Sequence, residues 1–585
     1  MRTGHAPRRG ECGRVRARRA RQRGRGLNRV RRSCVVRGVD EFLAPRRFLA
    51  VGRRRGVPAR VVSVAAALLV VFALVAPADL ERFTVGAFLR VPVEGLLGVV
   101  LVLVVPGRAR WVVAGVGGAA LGLVVVLKVL DIGFDLVLYR PFDPVLDWPL
   151  FEPAVDFVSV TAGSVAAGAA VVGAVLVAVG VVVLCVVAVL RLSRIVVRRR
   201  LVATRVVAVV AVGWISLALP GVPVASNSAA AFVYEHARQV RAGLHDREAF
   251  AESASVDAFR DVPGERLLTS LRGKDVVVVF VESYGRAAVD DAGVARVLDD
   301  GTRRLAAAGF GARSAFLTSS TAGGGSWLAH ATLLSGLYVD NQQRYRTLVS
   351  SDRMTLSAAF ERAGWRTVGV MPGITRAWPE GAFFGYDCVY PADRLGYRGP
   401  RFGYATTPDQ FTLAAFERLE RGPGRERGPG RERGRPVMAT IPLVTSHAPW
   451  GPLPRLVPWE SLGDGSVFGS MASGEVAPDA IFSRDPRQVR ADYGRSVEYS
   501  VETLVSYVEH YGDEELVLVF LGDHQPAQVV TGAGASRDVP ITVVARDPGV
   551  VARVAGWGWS EGLRPGEAAP VWPMESFRDR FLGAF

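Results

Sequence analysis

Lysine is almost absent from this chain. Of its 71 basic residues only Lys128 and Lys274 are lysines; the other 69 are arginines, the bias of a GC-rich coding sequence. Cysteine is scarce as well, with four residues at 12, 34, 185 and 388. None belongs to a C-x-x-C, and Cys388 stands alone in the C-terminal half, which excludes an internal disulfide framework and cysteine chemistry there. The basic surplus is missing from the main body too. Residues 1–60 hold 20 Arg against Glu11, Asp40 and Glu41, a net of +17, whereas 221–585 carries 39 basic and 43 acidic residues. The overall +16 is therefore the property of one tail, and no nucleic-acid partner is expected for the main body.

What the chain does have is apolar length: half of its 585 residues are hydrophobic. Runs at about 61–78, 84–106, 111–130, 163–190 and 202–220 approach the length that crosses a hydrocarbon core of about 30 Å at about 1.5 Å per residue. Arg90 and Glu94 fall inside the second run and are expected to face other helices or each other. The tail, "GRAR" (107–110) and "RLSRIVVRRR" (191–200) are basic, while residues 131–153 carry five acids and one Arg. That alternation puts the N terminus in the cytoplasm and residues 221–585 outside a cell membrane crossed five times. A cleaved signal peptide in place of the first span is the alternative, and it exports the same C-terminal part.

The chain divides accordingly. Residues 1–58 are expected as a disordered Arg-rich cytoplasmic tail or a product of an upstream start codon, with anionic-lipid or RNA contact as the remaining option. Residues 59–220 form the membrane domain and 221–273 a linker. Residues 274–585 alternate strand and helix patterns, beginning with the continuous apolar run "DVVVVFVES" (275–283). Further strands are read at "SAFLTSS", "WRTVGVMP", "PVMATIPLVTS", "LVLVFLGD" and "PITVVARD", and a long helix over 485–512. The pattern predicts an α/β fold, a three-layer domain outside the membrane. The repeat "RGPGRERGPGRERGRP" (421–436) is expected as a flexible insertion with solvated arginines. Residues 131–158 are expected as an outer loop that lies on the membrane or docks against this domain.

Ligands of such sheets bind beyond the carboxyl ends of the strands. Glu282 closes the first strand, Ser326 follows Gly323–Gly325 at a predicted helix N terminus, His447 closes "IPLVTSH", and Asp523-His524 closes "LVLVFLGDH". Two carboxylates, an imidazole and a hydroxyl suit one divalent cation, Mn²⁺, Zn²⁺ or Mg²⁺. Such a cation activates a hydroxyl, and helix N–H groups face the same anion, so the set reads as a nucleophile for phosphoryl transfer. Taken singly, Glu282 reads as readily as a strand cap, Ser326 as a helix N-cap and His447 as a turn residue.

The order "VESYGR", "GGGSW" 44 residues on, "TSHAPW" and "GDHQP", after five apolar runs, resembles the lipoteichoic acid synthase-like branch of the alkaline phosphatase–sulfatase superfamily, the phosphoglycerol transferases. The resemblance covers roughly 210–550. It implies a sulfatase-like α/β/α catalytic domain in which Glu282, Ser326, Asp523 and His524 hold one metal ion, usually Mn²⁺. It also makes Ser326 the nucleophile, with His447, and with Arg376 and Trp378 of "TRAWPEG", on the substrate phosphate. The family uses Thr where this chain has Ser326, and Thr321 in "SSTAGGG" is the rival nucleophile. By the same resemblance the donor is a phospholipid such as phosphatidylglycerol, and the acceptor a cell-envelope glycan or glycolipid, or water. The alternatives are a sulfatase-like phosphodiester or sulfate-ester hydrolase and a phosphoethanolamine transferase. Against them, "SWLAH" lacks the Pro and Arg of the sulfatase C/S-x-P-x-R context, and the single cysteine of the C-terminal half, Cys388, is too few for the several disulfides of phosphoethanolamine transferases. His330 and His510 are available to a second metal but lack the setting for it, and a non-catalytic scaffold is the reading from another class.

Overall fold

The structure, a computed structural model, describes residues 56–585 apart from 89, 219–224, 227, 376, 423–434, 475 and 477–479. Nearly all of the expected tail and most of the 421–436 insertion lie outside the described residues.

Nine strands form one sheet: β1 (Asp275–Val281), β2 (Gly311–Thr318), β3 (Arg366–Met371), β4 (Cys388–Pro391), β5 (Val437–Leu443), β6 (Leu516–Gly522), β7 (Asp538–Ala545), β8 (Ser560–Glu561) and β9 (Val571–Pro573). The spatial order is β8-β2-β7-β6-β1-β5-β3-β4, with β9 also on β2. β6, β1, β5, β3 and β4 are mutually parallel, while β7 runs antiparallel to both β6 and β2. The two reversals cancel, so β2 points the same way as β6, and the carboxyl ends of β1, β2, β3, β5 and β6 share one edge.

Strand alternation builds three layers from the apolar runs. Val277, Val279 and Val281 face one core with Val497, Val501 and Leu504 of the Pro486–Tyr511 helix. Val276, Val278 and Phe280 face the other, with Leu328 and Leu333 of the Ser326–Ser335 helix and Phe577 and Phe581 of the Ser576–Ala584 helix. Because both faces of β1, β6 and β7 are covered, these strands are apolar without alternation. Each fully buried Val or Leu contributes about 1.5–3 kcal/mol.

The N-terminal part meets the expectation of five spans only in part. Each run forms helix, but only Gly107–Leu138 and Ser164–Arg198 are long and apolar enough to cross a membrane among the described residues. The run at 84–106 is interrupted near Arg90 and Pro92 and leaves a 12-residue helix, Val93–Val104, about 18 Å long. Its Glu94 accepts a hydrogen bond from the Ala230 amide at 2.9 Å rather than pairing with Arg90. The helices over Gly56–Val75 and Arg200–Ala218 have 20 and 19 residues. The two long helices pack on Gly118 and Gly122, four apart. A Cβ there would lie 2.7 Å from the Val186 Cα and 2.6 Å from the Val182 Cα, so only glycine permits this approach.

The expected linker 221–273 contains a 28-residue helix, Ser228–Ser255. Beyond it Asp257 makes a fully buried pair with Arg578 at 2.8 and 2.7 Å, tying the segment to the last helix. Arg421, expected among solvated arginines, has its side chain buried instead. It reaches Asp275 Oδ2 at 2.9 Å, Glu417 Oε1 at 2.8 Å and Asp513 Oδ2 at 2.9 Å, because three carboxylates converge under the amino edge of the sheet and a guanidinium can serve all three.

Candidate active site

Register places the site. Val281 of β1 lies beside Gly522 of β6 and Leu443 of β5, so the residues just after these strands emerge together. Asp523 Oδ1 accepts the Ser283 amide at 2.8 Å and the His524 amide at 2.7 Å, which locks the two turns to each other. Ser283 has φ +55°, turning the chain away at once, and its carbonyl accepts from the Tyr493 hydroxyl at 2.8 Å. Two serine hydroxyls brace the neighbouring backbone: Ser446 donates to the Glu282 carbonyl and Ser319 to the Asp523 carbonyl, both at 2.6 Å.

Ser326 opens its helix as expected, after Gly325 in the left-handed region at φ +81°. Its hydroxyl donates to Glu282 Oε2 at 3.0 Å and lies 3.1 Å from His524 Nε2. His524 Nε2 is in turn 3.4 Å from Glu282 Oε1 and 3.7 Å from Asp523 Oδ2, and its Nδ1 is held by the Gln525 carbonyl at 2.9 Å. The fixed Nδ1 leaves Nε2 as the atom that faces the carboxylates. Glu282, Asp523 and His524 are buried, and one ligand atom from each lies within 4.8 Å of the others. Asp523 Oδ2 has no hydrogen-bond partner. A buried carboxylate oxygen without a donor, beside a second carboxylate and an imidazole, fits a divalent cation.

The electrostatics agree with that fit. Burial works against ionisation of Glu282, but the facing His447 and His524 imidazoles, with hydrogen bonds from Ser283 and Ser326, together hold its carboxyl below the usual range. Burial, and then the Glu282 charge, pushes Asp523 up to about 6. For His524, burial opposes the charged form, while Asp523 and Glu282 raise its pKa overall. Two acids and an imidazole thus compete for too little positive charge, the imbalance a metal ion corrects.

The other expected residues fall in different places. His447 follows β5 close enough to act on Glu282; its ring stacks on Tyr404 at 3.9 Å between centroids, and its Nδ1 meets the Ala448 carbonyl. Trp378 stacks on Phe384 at 5.5 Å and hydrogen-bonds Tyr345. Arg376 lies outside the described residues. Thr321 is buried, and its hydroxyl has no hydrogen-bond partner, whereas that of Ser326 meets Glu282 and His524. His510 is on the Pro486–Tyr511 helix, stacked on Trp459 and 3.5 Å from Glu460.

Two further residues contribute to the site. His330, one turn beyond Ser326, stands with Nε2 4.0 Å from Asp523 Oδ2 and its ring on Phe280; burial lowers its pKa to about 4, so it backs the site as a neutral ring. Asp409 is fully buried and accepts from the Val444 and Thr445 amides at 3.0 Å and from the Thr445 and Ser500 hydroxyls at 2.7 and 2.6 Å. It buttresses the turn that carries His447. The i, i+4 spacing of Ser326 and His330 on a helix was a usable clue; an Asp 38 residues from His447 was not.

The segment 131–158 docks on this edge. The Gly107–Leu138 helix continues to Leu138, and the Tyr139 hydroxyl donates to the Pro526 carbonyl at 2.8 Å. Gln528 Nε2 donates to the Asp135 carbonyl at 2.7 Å. Gly323 has φ +73°, and a Cβ there would meet the Val137 carbonyl oxygen at 1.6 Å, so the glycine-rich loop before Ser326 rests directly on the helix end.

No family model and no curated protein matches the chain. Solved structures similar to it include the lipoteichoic acid synthase LtaP from Listeria monocytogenes, with 14% identity over 57% of this chain and 76% of that one and a TM-score of 0.33. The soluble domain of lipooligosaccharide phosphoethanolamine transferase A from Neisseria meningitidis has 14% identity over 53% of this chain and 87% of its own, with a TM-score of 0.35. A Streptococcus pyogenes phosphoglycerol transferase in complex with sn-glycerol-1-phosphate has 13% identity over 51% and 73%, with a TM-score of 0.32.

Proposed function

We propose that the chain is a membrane-anchored, metal-dependent phosphoryl transferase of the lipoteichoic acid synthase-like kind. It takes a phosphoglycerol-type head group from a phospholipid to a cell-envelope acceptor through a phospho-enzyme in which Ser326 carries the head group as a phosphodiester. The observation that carries this is the Ser326 hydroxyl, 3.0 Å from Glu282 Oε2 and 3.1 Å from His524 Nε2, at the first turn of a helix.

Glu282, Asp523, His524 and Ser326 would hold one divalent cation, Mn²⁺ by resemblance and Zn²⁺ or Mg²⁺ by donor chemistry. The ion, when bound, lowers the pKa of the serine hydroxyl and neutralises phosphate charge. Ser326 Oγ attacks phosphorus as the bond to the lipid alcohol breaks; Glu282 Oε2 is the nearest base for the hydroxyl proton, and the departing alkoxide takes up a proton. In the second step an acceptor hydroxyl, or water, attacks the phosphoseryl group, its proton is released, and Ser326 Oγ leaves and is reprotonated. His447 holds the phosphate, with Arg376 and Trp378 beside it. Five crossings with the N terminus in the cytoplasm, as the charge alternation along the chain predicts, would put the site outside the membrane, beside a lipid donor.

Hydrolysis differs from transfer only in the acceptor. The test is the intact mass of the full chain in detergent with Mn²⁺ and a phosphatidylglycerol head-group analogue. A phosphoglycerol-sized adduct that persists in Thr321→Ala and is lost in Ser326→Ala supports the reading. An adduct lost only in Thr321→Ala, or turnover of a sulfate ester with no adduct from any phospholipid analogue, overturns it.

A further inference from the structure

A cavity of about 390 Å³ lies between the Gly107–Leu138 helix, the Phe151–Ala162 helix and the glycine-rich loop that precedes Ser326. Small-molecule sites run from about 300 to 1,000 Å³. Phe134, Leu138 and Phe151 form one side, and Leu328 the other, so most of its surface is hydrocarbon. Gly325 and Trp327, the two neighbours of Ser326, also line it.

We infer that this cavity is the seat of an acyl chain of the lipid donor, which rests on the proposed function above. Three observations select a lipid chain. The wall is a helix apolar enough to cross a membrane, and the cavity-lining Val129 on it is 63% exposed, so the cavity is continuous with an outward hydrocarbon face. The opposite wall is the loop that sets Ser326, so a chain held here leaves its phosphodiester beside the nucleophile. Among the apolar lining sits the Thr321 hydroxyl, more than nine-tenths buried and without a hydrogen-bond partner, placed to donate to the ester carbonyl of an acyl chain. A soluble head group alone would have no use for such a wall, whereas each buried methylene strengthens binding roughly fourfold.

Gly133 permits a clean test, because it lines the cavity and a Cβ added there meets nothing within 4 Å. Gly133→Leu therefore fills the space without displacing the loop, and Ala154→Leu fills it from the facing helix. The full chain in detergent is irradiated with phosphatidylglycerol carrying a diazirine midway along one acyl chain, and the adducts are mapped by peptide mass. Wild type and Ser326→Ala are expected to carry adducts in 129–154 and 320–328, competed by unlabelled phosphatidylglycerol and reduced at least tenfold in both filled variants. KM for the long-chain donor rises at least tenfold in Gly133→Leu, while turnover of a water-soluble glycerophosphodiester stays unchanged. Adducts confined to other helices, or labelling unaffected by both variants, overturn the assignment. Labelling in the cavity with no phosphoryl transfer overturns the proposed function and leaves the lipid seat standing.

Discussion

Two parts of the chain have nearly the same apolar vocabulary and use it in opposite senses. In β1 and β6 every residue is buried. In the Ser164–Arg198 helix only 6% of the most apolar window is, and Val172, Leu176, Val179, Val183 and Leu184 all point outward. The first part hides its valines and leucines from water between two layers of helices. The second has no protein cover for them, which is consistent with anchoring in a membrane, where hydrocarbon is the solvent. The difference teaches where chemistry can be held. A sheet packed on both faces fixes the ends of its strands to within hydrogen-bond distance of one another, as at Glu282, Asp523 and His524. Helices that present bare hydrocarbon can anchor, and at their ends can dock, as Tyr139 does.

The sharpest way to break this contrast is to put one charge in each part. Val279→Asp places a carboxylate in a fully buried parallel strand, and folding of residues 257–585 should be lost, since marginal stability of about 5–15 kcal/mol does not survive an unpaired buried charge with lost packing. Leu176→Asp should cost about 2.5–3.5 kcal/mol of membrane insertion and leave the melting of the sheet domain unchanged. Differential melting and membrane extraction, run on both variants, separate the outcomes; equal melting losses would mean the helices share the core of the sheet.

Next in size is Arg421→Ala. It strips the shared cation from Asp275, Glu417 and Asp513, with an expected loss of about 3–5 kcal/mol in denaturant unfolding, while Arg421→Met loses less because it refills the volume. Smaller again is Asp409→Asn. It keeps the shape but removes the carboxylate that accepts from the Val444 and Thr445 donors of the turn before His447, so a loss of about 1–3 kcal/mol is expected. If Asp409 positions His447 for the phosphate, KM for the phosphodiester rises more than kcat falls. An unchanged KM would reduce Asp409 to a structural role.

Much of the fold and of the site could be read along the chain. A continuous apolar run that ends in an acid or an imidazole is legible because strand burial is a local pattern, and each of Glu282, His447 and Asp523-His524 follows a strand as read. Ser326 was legible from glycines that free the backbone before a helix. Interruption of the second apolar run was foreshadowed by Arg90 and Glu94, yet the helical share of 221–273 was not, since 228–255 lacks a strongly apolar face.

Sequence alone determined the composition of this protein's parts: which runs are hydrocarbon, which strands are covered on both faces, and which ligand-type side chains stand at strand ends. Those properties depend on neighbours one to four residues apart. Tertiary structure decided the rest. The antiparallel course of β7, the burial of Arg421 among carboxylates drawn from 275, 417 and 513, the support of His447 by Asp409 and the seating of Gly323 on Val137 all join residues far apart in the chain. Such contacts are fixed only when the layers close, because what a charged or small side chain meets there is set by packing and not by its own local pattern.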